Sequence, residues 1–216
     1  MNKAKIKAFL FDVDGTLVSA DAVIHAAQVT MKEFGLRVLT KKEIYEKLMG
    51  GVIPRAFPEI YGISVEKALE VEKKYIKNYN KMHEQHVIPH AVEVLRALKK
   101  RGMKIGIVTT KSRATAETAL KSCGLDYDEL VSADDVKPDE IKPSPIPIIK
   151  ICRMLKIEAE NAVMVGDMDV DVIAGKRAGC AMAVGITTGV HDRKKLKQAG
   201  ADYIIDDLKE ILELVK

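Results

Sequence analysis

Apolar residues fall along this chain in two rhythms, and the change from one to the other divides it. Between about Ser19 and Gln85 they recur at helical spacing among Lys and Glu, with no convincing strand-like run. Thr40-Lys41-Lys42-Glu43 is a capping box that starts one helix, and Ser64 is an N-cap for a charged helix reaching toward Tyr79. From His90 onward, short apolar runs alternate with helical stretches. Lys104-Ile105-Gly106-Ile107-Val108, Leu130-Val131, Ala162-Val163-Met164-Val165, Ala181-Met182-Ala183-Val184 and Asp202-Tyr203-Ile204-Ile205 read as strands. Helices ending at Gly102, Gly124, Leu155 and near Gly179 lie between them, and a C-terminal helix follows the last strand. One more apolar run, Ala8-Phe9-Leu10-Phe11, precedes the helical segment. Alternation of this kind specifies a parallel sheet with right-handed crossovers. The expected architecture is therefore α/β, a doubly wound parallel sheet built from residues 1–18 and 88–216. An α-helical module, residues 19–87, is inserted after its first strand.

The strand ends carry the polar residues that this scheme has to explain. Asp12-Val13-Asp14-Gly15-Thr16-Leu17 puts two carboxylates where the first apolar run stops. Charged residues are rarely buried without a partner or a cation, and open α/β sheets bind ligands at the C-terminal ends of their strands. An Asx-Gly turn would account for this pair alone. It does not account for Thr109 and Thr110 after Val108, Lys142 before a helix, and Gly166-Asp167-Met168-Asp169-Val170-Asp171 after Val165. Parallel strands bring all of these to one edge. Carboxylates so gathered cannot all ionise without a cation, and a hard ion such as Mg2+ with oxygen ligands resolves the conflict. Lys142 and Thr109 add a fixed positive charge and a hydroxyl, so the set is suited to a phosphoryl group in transfer.

Composition narrows the field. Apolar residues at 47% and charged residues at 31% suit a real core with a solvated surface. The net charge of +4 is spread along the chain, and aromatics are only 5% with no Trp, so a nucleic-acid partner is not expected. No apolar run reaches membrane-span length and the first residues lack a signal-peptide core, so no membrane partner and a cytoplasmic setting are expected. Cys123, Cys152 and Cys180 are odd in number and set among apolar residues, as for reduced structural thiols.

At these residues the chain resembles the haloacid dehalogenase superfamily of phosphatases. Asp12-x-Asp14-Gly15-Thr16-Leu17 resembles its first motif, Thr109 its second, Lys142-Pro143-x-Pro145 its third and Gly166-Asp167-x-x-x-Asp171 its fourth. The resemblance covers the whole chain and implies a Rossmann-like core with a helical type-1 cap. It implies that Asp12 attacks phosphorus and that Asp14 protonates the leaving oxygen and later activates water. It further implies that Asp12, Asp167 and the carbonyl of Asp14 hold Mg2+, that Asp171 orients Lys142 or a metal-bound water, and that Thr109 and Lys142 bind phosphoryl oxygens. Two departures are Met168 and Ile146, where relatives often carry a small polar residue and an Asp.

The function so implied is Mg2+-dependent hydrolysis of a small phosphorylated metabolite through an aspartyl-phosphate, nearest the phosphoglycolate phosphatase-like branch. Gly106 to Lys111, followed by Arg113, also resembles inorganic pyrophosphatase members, which makes pyrophosphate an alternative substrate. A sugar-phosphate mutase is a further alternative. Such mutases place a histidine twelve residues after the nucleophile, where this chain has Ile24 next to His25. Gly15, Thr110 and Lys111 are expected at the substrate, as is Arg55 of the cap, which follows a glycine pair. His83 and His86 lack a third ligand, and His25, His90 and His191 receive no role. Asp134-Asp135 and Asp206-Asp207 read as caps or solvated loops. Oligomeric state is not legible in the sequence.

Overall fold

The structure, a computed structural model, describes residues 6–48, 53–81 and 86–214, except for the side chains of residues 53–55. It divides into two compact units, Met1–Ser19 with Val87–Lys216, and Ala20–His86.

The first unit opens with β1 (Ala8–Phe11), fully buried on both faces. The second unit holds four helices among its described residues: α1 (Asp21–Glu33), α2 (Lys41–Lys47), α3 (Ile53–Tyr61) and α4 (Val65–Lys81). Within that unit α1 buries Val23, Ala26, Ala27 and Met31, and α4 buries Ala68, Val71, Tyr75 and Tyr79. One buried polar contact joins them, the Asn78 amide donating to Thr30 Oγ1 at 3.0 Å and to Glu33 Oε2 at 2.6 Å. The capping box forms at α2, with Glu43 N donating to Thr40 Oγ1 at 3.2 Å and Thr40 N to Glu43 Oε2 at 2.9 Å.

The first unit continues through α5 (Ala91–Lys100), β2 (Lys104–Val108), α6 (Arg113–Ser122), β3 (Glu129–Val131) and α7 (Ile146–Leu155). It ends with β4 (Ala162–Gly166), α8 (Asp169–Ala178), β5 (Met182–Ile186), α9 (Arg193–Gln198) and β6 (Tyr203–Ile205). All strand pairs are parallel, and the sheet order is β3-β2-β1-β4-β5-β6. The chain moves outward from β1 in one direction through β2 and β3, then returns to its other side at β4. Such a reversal leaves a crevice beyond the strand ends. Register fixes what reaches it. Phe11 aligns with Ile107 on one side and Val165 on the other, so Asp12, Thr109 and Asp167 all lie just past their strands. Leu10, Val108, Val131 and Met164 pack with Ile148, Ile151 and Leu155 of α7 in one apolar cluster. Each such side chain contributes about 1.5–3 kcal/mol by leaving water, which anchors the strands whose tips carry the polar residues.

Two elements differ from the sequence reading. Helix α9 was not anticipated, although Asp192 caps it, accepting from Lys195 N at 2.8 Å. The segment is short and mostly basic, with Leu196 alone buried, so helical periodicity has little to act on. The expected C-terminal helix is instead a 3-10 helix over Leu208–Glu213, begun by Asp207.

Glu43 has its pKa held down to about 2, chiefly by the backbone N–H of Thr40 and then by Arg37. A carboxylate lowered in the folded state adds stability above its unfolded value of roughly 4.3 and loses it as pH falls through the folded value. The thermal midpoint of Glu43→Gln is therefore expected below that of the parent at pH 7. The gap should narrow as pH falls from about 4.5 toward 2; a gap independent of pH would contradict the assignment.

Candidate active site

Six polar side chains from four places in the sequence, Asp12, Asp14, Thr109, Lys142, Asp167 and Asp171, meet at the C-terminal edge of the sheet, all within the first unit. Lys142 is the hub. Its Nζ, 4% exposed as a residue, donates to Asp12 Oδ1 at 2.6 Å, to Asp171 Oδ1 at 2.6 Å and to the carbonyl of Val108 at 2.9 Å. It enters from the segment before α7, where the Lys142-Pro143 peptide is cis. Burial works against its charge, but Asp12 and Asp171 outweigh that penalty and hold the ammonium above its ordinary pKa. Lys142 therefore stays charged.

Asp167 is fully buried at the end of β4. Its Oδ2 accepts from Val190 N at 2.7 Å and its Oδ1 from Thr16 Oγ1 at 3.3 Å. Gly15 and Gly189 pack against this carboxylate so closely that a Cβ on either would overlap it. Gly15 also has φ of +85°, a left-handed conformation that disfavours other residues. Asp171, in the first turn of α8, gives Oδ1 to Lys142 and accepts from Met168 N at 3.0 Å through Oδ2. Both of its oxygens thus have protein donors.

Asp14 lies in the turn after β1, where Lys111 Nζ holds both of its oxygens at 2.9 and 2.7 Å. Burial raises the Asp14 pKa, with Lys111 opposing the rise. Thr109 is buried, its N–H donating to Val131 O at 3.0 Å while its Oγ1 accepts from Lys111 N at 3.2 Å. Thr110 follows it, half-buried. Arg113 is engaged elsewhere, donating to Asp135 Oδ2 at 2.7 Å and to Leu130 O at 3.0 Å. It does not join Lys111 at the site. Arg55 sits in α3 with its side chain outside the described residues, and His83 lies outside them altogether.

Carboxylate oxygens of Asp12, Asp167 and Asp171 lie within 4.8 Å of one another. Burial first, and then the neighbouring charges of Asp12 and Asp171, push the Asp167 pKa well above the carboxylate range. Burial also raises Asp171 to about 6 against the pull of Lys142. A divalent cation would relieve this strain, and an all-oxygen donor set fits a hard one. Asp171 has the Lys142 ammonium on one oxygen and Met168 N on the other. Asp167 accepts from neutral donors, the Thr16 hydroxyl at 3.3 Å among them, and Asp12 meets Lys142 through Oδ1. Asp12 and Asp167 are therefore the better-placed donors.

A family model described as haloacid dehalogenase-like hydrolase matches residues 9–184, which contain every one of these side chains. The chain belongs to that family. It is 31% identical to the pyrophosphatase PpaX of Bacillus mycoides over 98% of this chain and 97% of that protein. It is 33% identical to the phosphoglycolate phosphatase of Neisseria meningitidis, covering 96% of this chain and 93% of the relative. Among solved structures, a predicted phosphoglycolate phosphatase from Haemophilus somnus matches with a TM-score of 0.86 over 100% of both chains, at 24% identity. That likeness speaks for the fold: a six-stranded parallel sheet of the haloacid dehalogenase type, with helices. No helix among the described residues is long and apolar enough to cross a membrane.

The sequence motifs do not announce two features of this haloacid dehalogenase-type site. One is the hold of Lys111 on Asp14. The other is the loop after β5, which supplies Val190 N to Asp167 and Thr188 Oγ1 to Gly15 O at 2.7 Å. The only cue to the loop is the short polar run Thr187-Thr188-Gly189 at a strand end.

Removing one partner of a buried ion pair leaves the others uncompensated, at a cost of about 3–5 kcal/mol. Lys142→Met is thus expected to lose about 3 kcal/mol of unfolding free energy in chelator-treated buffer, read from urea denaturation. Unchanged stability would contradict the role of Lys142 as the counter-charge.

Proposed function

We propose that this chain is a Mg2+-dependent phosphatase that hydrolyses a small phosphorylated metabolite of the phosphoglycolate type through an aspartyl-phosphate. The observation that carries this reading is the buried trio of Asp12, Asp167 and Lys142 at the sheet switch point: nucleophile, metal donor and fixed cation within one crevice. In this reading Asp12 attacks phosphorus with the carboxylate oxygen not held by Lys142. The bond from phosphorus to the leaving oxygen breaks as Asp14 gives that oxygen a proton. Burial favours this role for Asp14, because a raised pKa keeps the proton available. Asp14 then takes a proton from the water that attacks the aspartyl-phosphate, and phosphate is released. Lys142 and the hydroxyl of Thr109 hold phosphoryl oxygens throughout, with Gly15 keeping the approach open and Thr110 beside it. Asp12, Asp167 and the Asp14 carbonyl would hold Mg2+, which supplies charge neutralisation at the phosphoryl group. Asp171 keeps Lys142 in place.

Pyrophosphate is a second reading, favoured by the Lys111 ammonium 2.7 Å from Asp14. The group that protonates the leaving oxygen would have a cation at its side, suited to a leaving group that is itself phosphate. The pyrophosphatase name of one relative points the same way. The helical unit would act as a cap that selects the leaving group, with Arg55 a candidate contact. The three cysteines are all free, in keeping with a cytoplasmic setting.

Phosphate release from a panel of phosphomonoesters and pyrophosphate, with and without Mg2+, tests the reading. Asp12→Asn should abolish release, and Asp14→Asn should lower kcat by about 10²-fold or more while binding persists. Lys111→Met should reduce pyrophosphate hydrolysis more than hydrolysis of an ester with a neutral leaving group. Release by Asp12→Asn equal to the parent would overturn the assignment.

A further inference from the structure

His191 carries no motif and no obvious partner in the sequence, yet it ties the loop after β5 to the residues around Asp167. Its ring Nδ1 accepts from the backbone N–H of Asp169 at 2.9 Å, at the first position of α8. Its own backbone N–H donates to the carbonyl of Asp167 at 3.2 Å. His191 thus clasps Asp167-Met168-Asp169 from both ends. The preceding residue of the same loop, Val190, donates its N–H to Asp167 Oδ2. Thr188, two residues further back, ties the loop to the turn after β1 through Gly15 O. The side chain of Asp169 lies 3.6 Å from the same ring nitrogen, and Lys195 Nζ lies 3.4 Å from that carboxylate, so polar groups surround the imidazole.

We infer that His191 is a positioning residue for the metal-binding carboxylate of Asp167. By accepting the Asp169 N–H it fixes the loop so that Val190 N meets one oxygen of Asp167 and leaves the carboxylate aimed at the cation. The bond matters because a loop N–H directed at a carboxylate holds its direction only if the loop itself is held. Without the ring acceptor, the Asp169 N–H and the loop both lose their shared anchor. The inference rests on the proposed role of Asp167 as a metal donor.

The test compares Mg2+ binding, by isothermal titration calorimetry without substrate, in the parent and in His191→Asn, His191→Gln and His191→Ala. The Asn side chain places an acceptor oxygen the same number of bonds from the backbone as Nδ1; Gln places it one bond further. Outer contacts of this kind are worth about 10–100-fold in metal affinity. Ala and Gln are expected to weaken Mg2+ binding by about tenfold or more, and Asn to stay within about threefold of the parent. At saturating Mg2+, kcat should then recover in all three. Equal Mg2+ affinity in all four proteins would overturn the inference, and so would Asn binding as weakly as Gln. The Asn–Gln comparison decides the matter even if Ala fails to fold. Absence of Mg2+ binding by the parent itself would instead overturn the metal role of Asp167.

Discussion

Everything at the active edge depends on one buried ammonium. Lys142 lies between Asp12 and Asp171 at 2.6 Å from each, with the carbonyl of Val108 as its third acceptor. Burying four carboxylates at one strand edge is unfavourable, and the raised pKa values of Asp14, Asp167 and Asp171 record that cost. Lys142 offsets part of it and Lys111 another part, but two ammonium groups do not balance four carboxylates. The remaining imbalance would favour a bound cation in the crevice.

The sheet supplies the geometry for this imbalance. A six-stranded parallel order that reverses at β1 and β4 puts Asp12 and Asp167 just past neighbouring strand ends, where Phe11 pairs with Val165. Apolar packing under α7 holds those strands, so the core sets the backbone positions of the acidic residues at the strand ends, and their own contacts direct the side chains. Membership of the haloacid dehalogenase-like hydrolases is consistent with this division of labour between scaffold and edge.

Much of this was legible in the sequence because its cues were local. Buried apolar runs ending in Asp12, Thr109 and Asp167 mark strand tips, and the parallel class then brings the tips together. The capping box at Thr40 and Glu43 is likewise a short-range signal. The features without a local cue join residues far apart in the chain. Lys111 and Asp14 are 97 residues apart, and although Lys111 is expected at the substrate, nothing local shows that its ammonium holds the Asp14 carboxylate. His191 meets Asp169 across 22 residues by a backbone bond, which no side-chain pattern encodes. Arg113, part of the stretch that resembles pyrophosphatase members, is drawn to Asp135 and Leu130, because the turn after β3 brings an acidic residue within reach. Helix α9 was missed because a run of lysines carries almost no apolar period.

The central claim is that the carboxylate of Asp12 itself takes the phosphoryl group. The most direct measurement is acid quenching during turnover of a hydrolysed substrate with Mg2+, followed by peptide mass spectrometry. The account predicts a phosphoryl group on the peptide containing Asp12, removable by hydroxylamine and absent from Asp12→Asn. Full turnover with no covalent phosphoryl group on Asp12 at any quench time, or with the label on another residue, would contradict it.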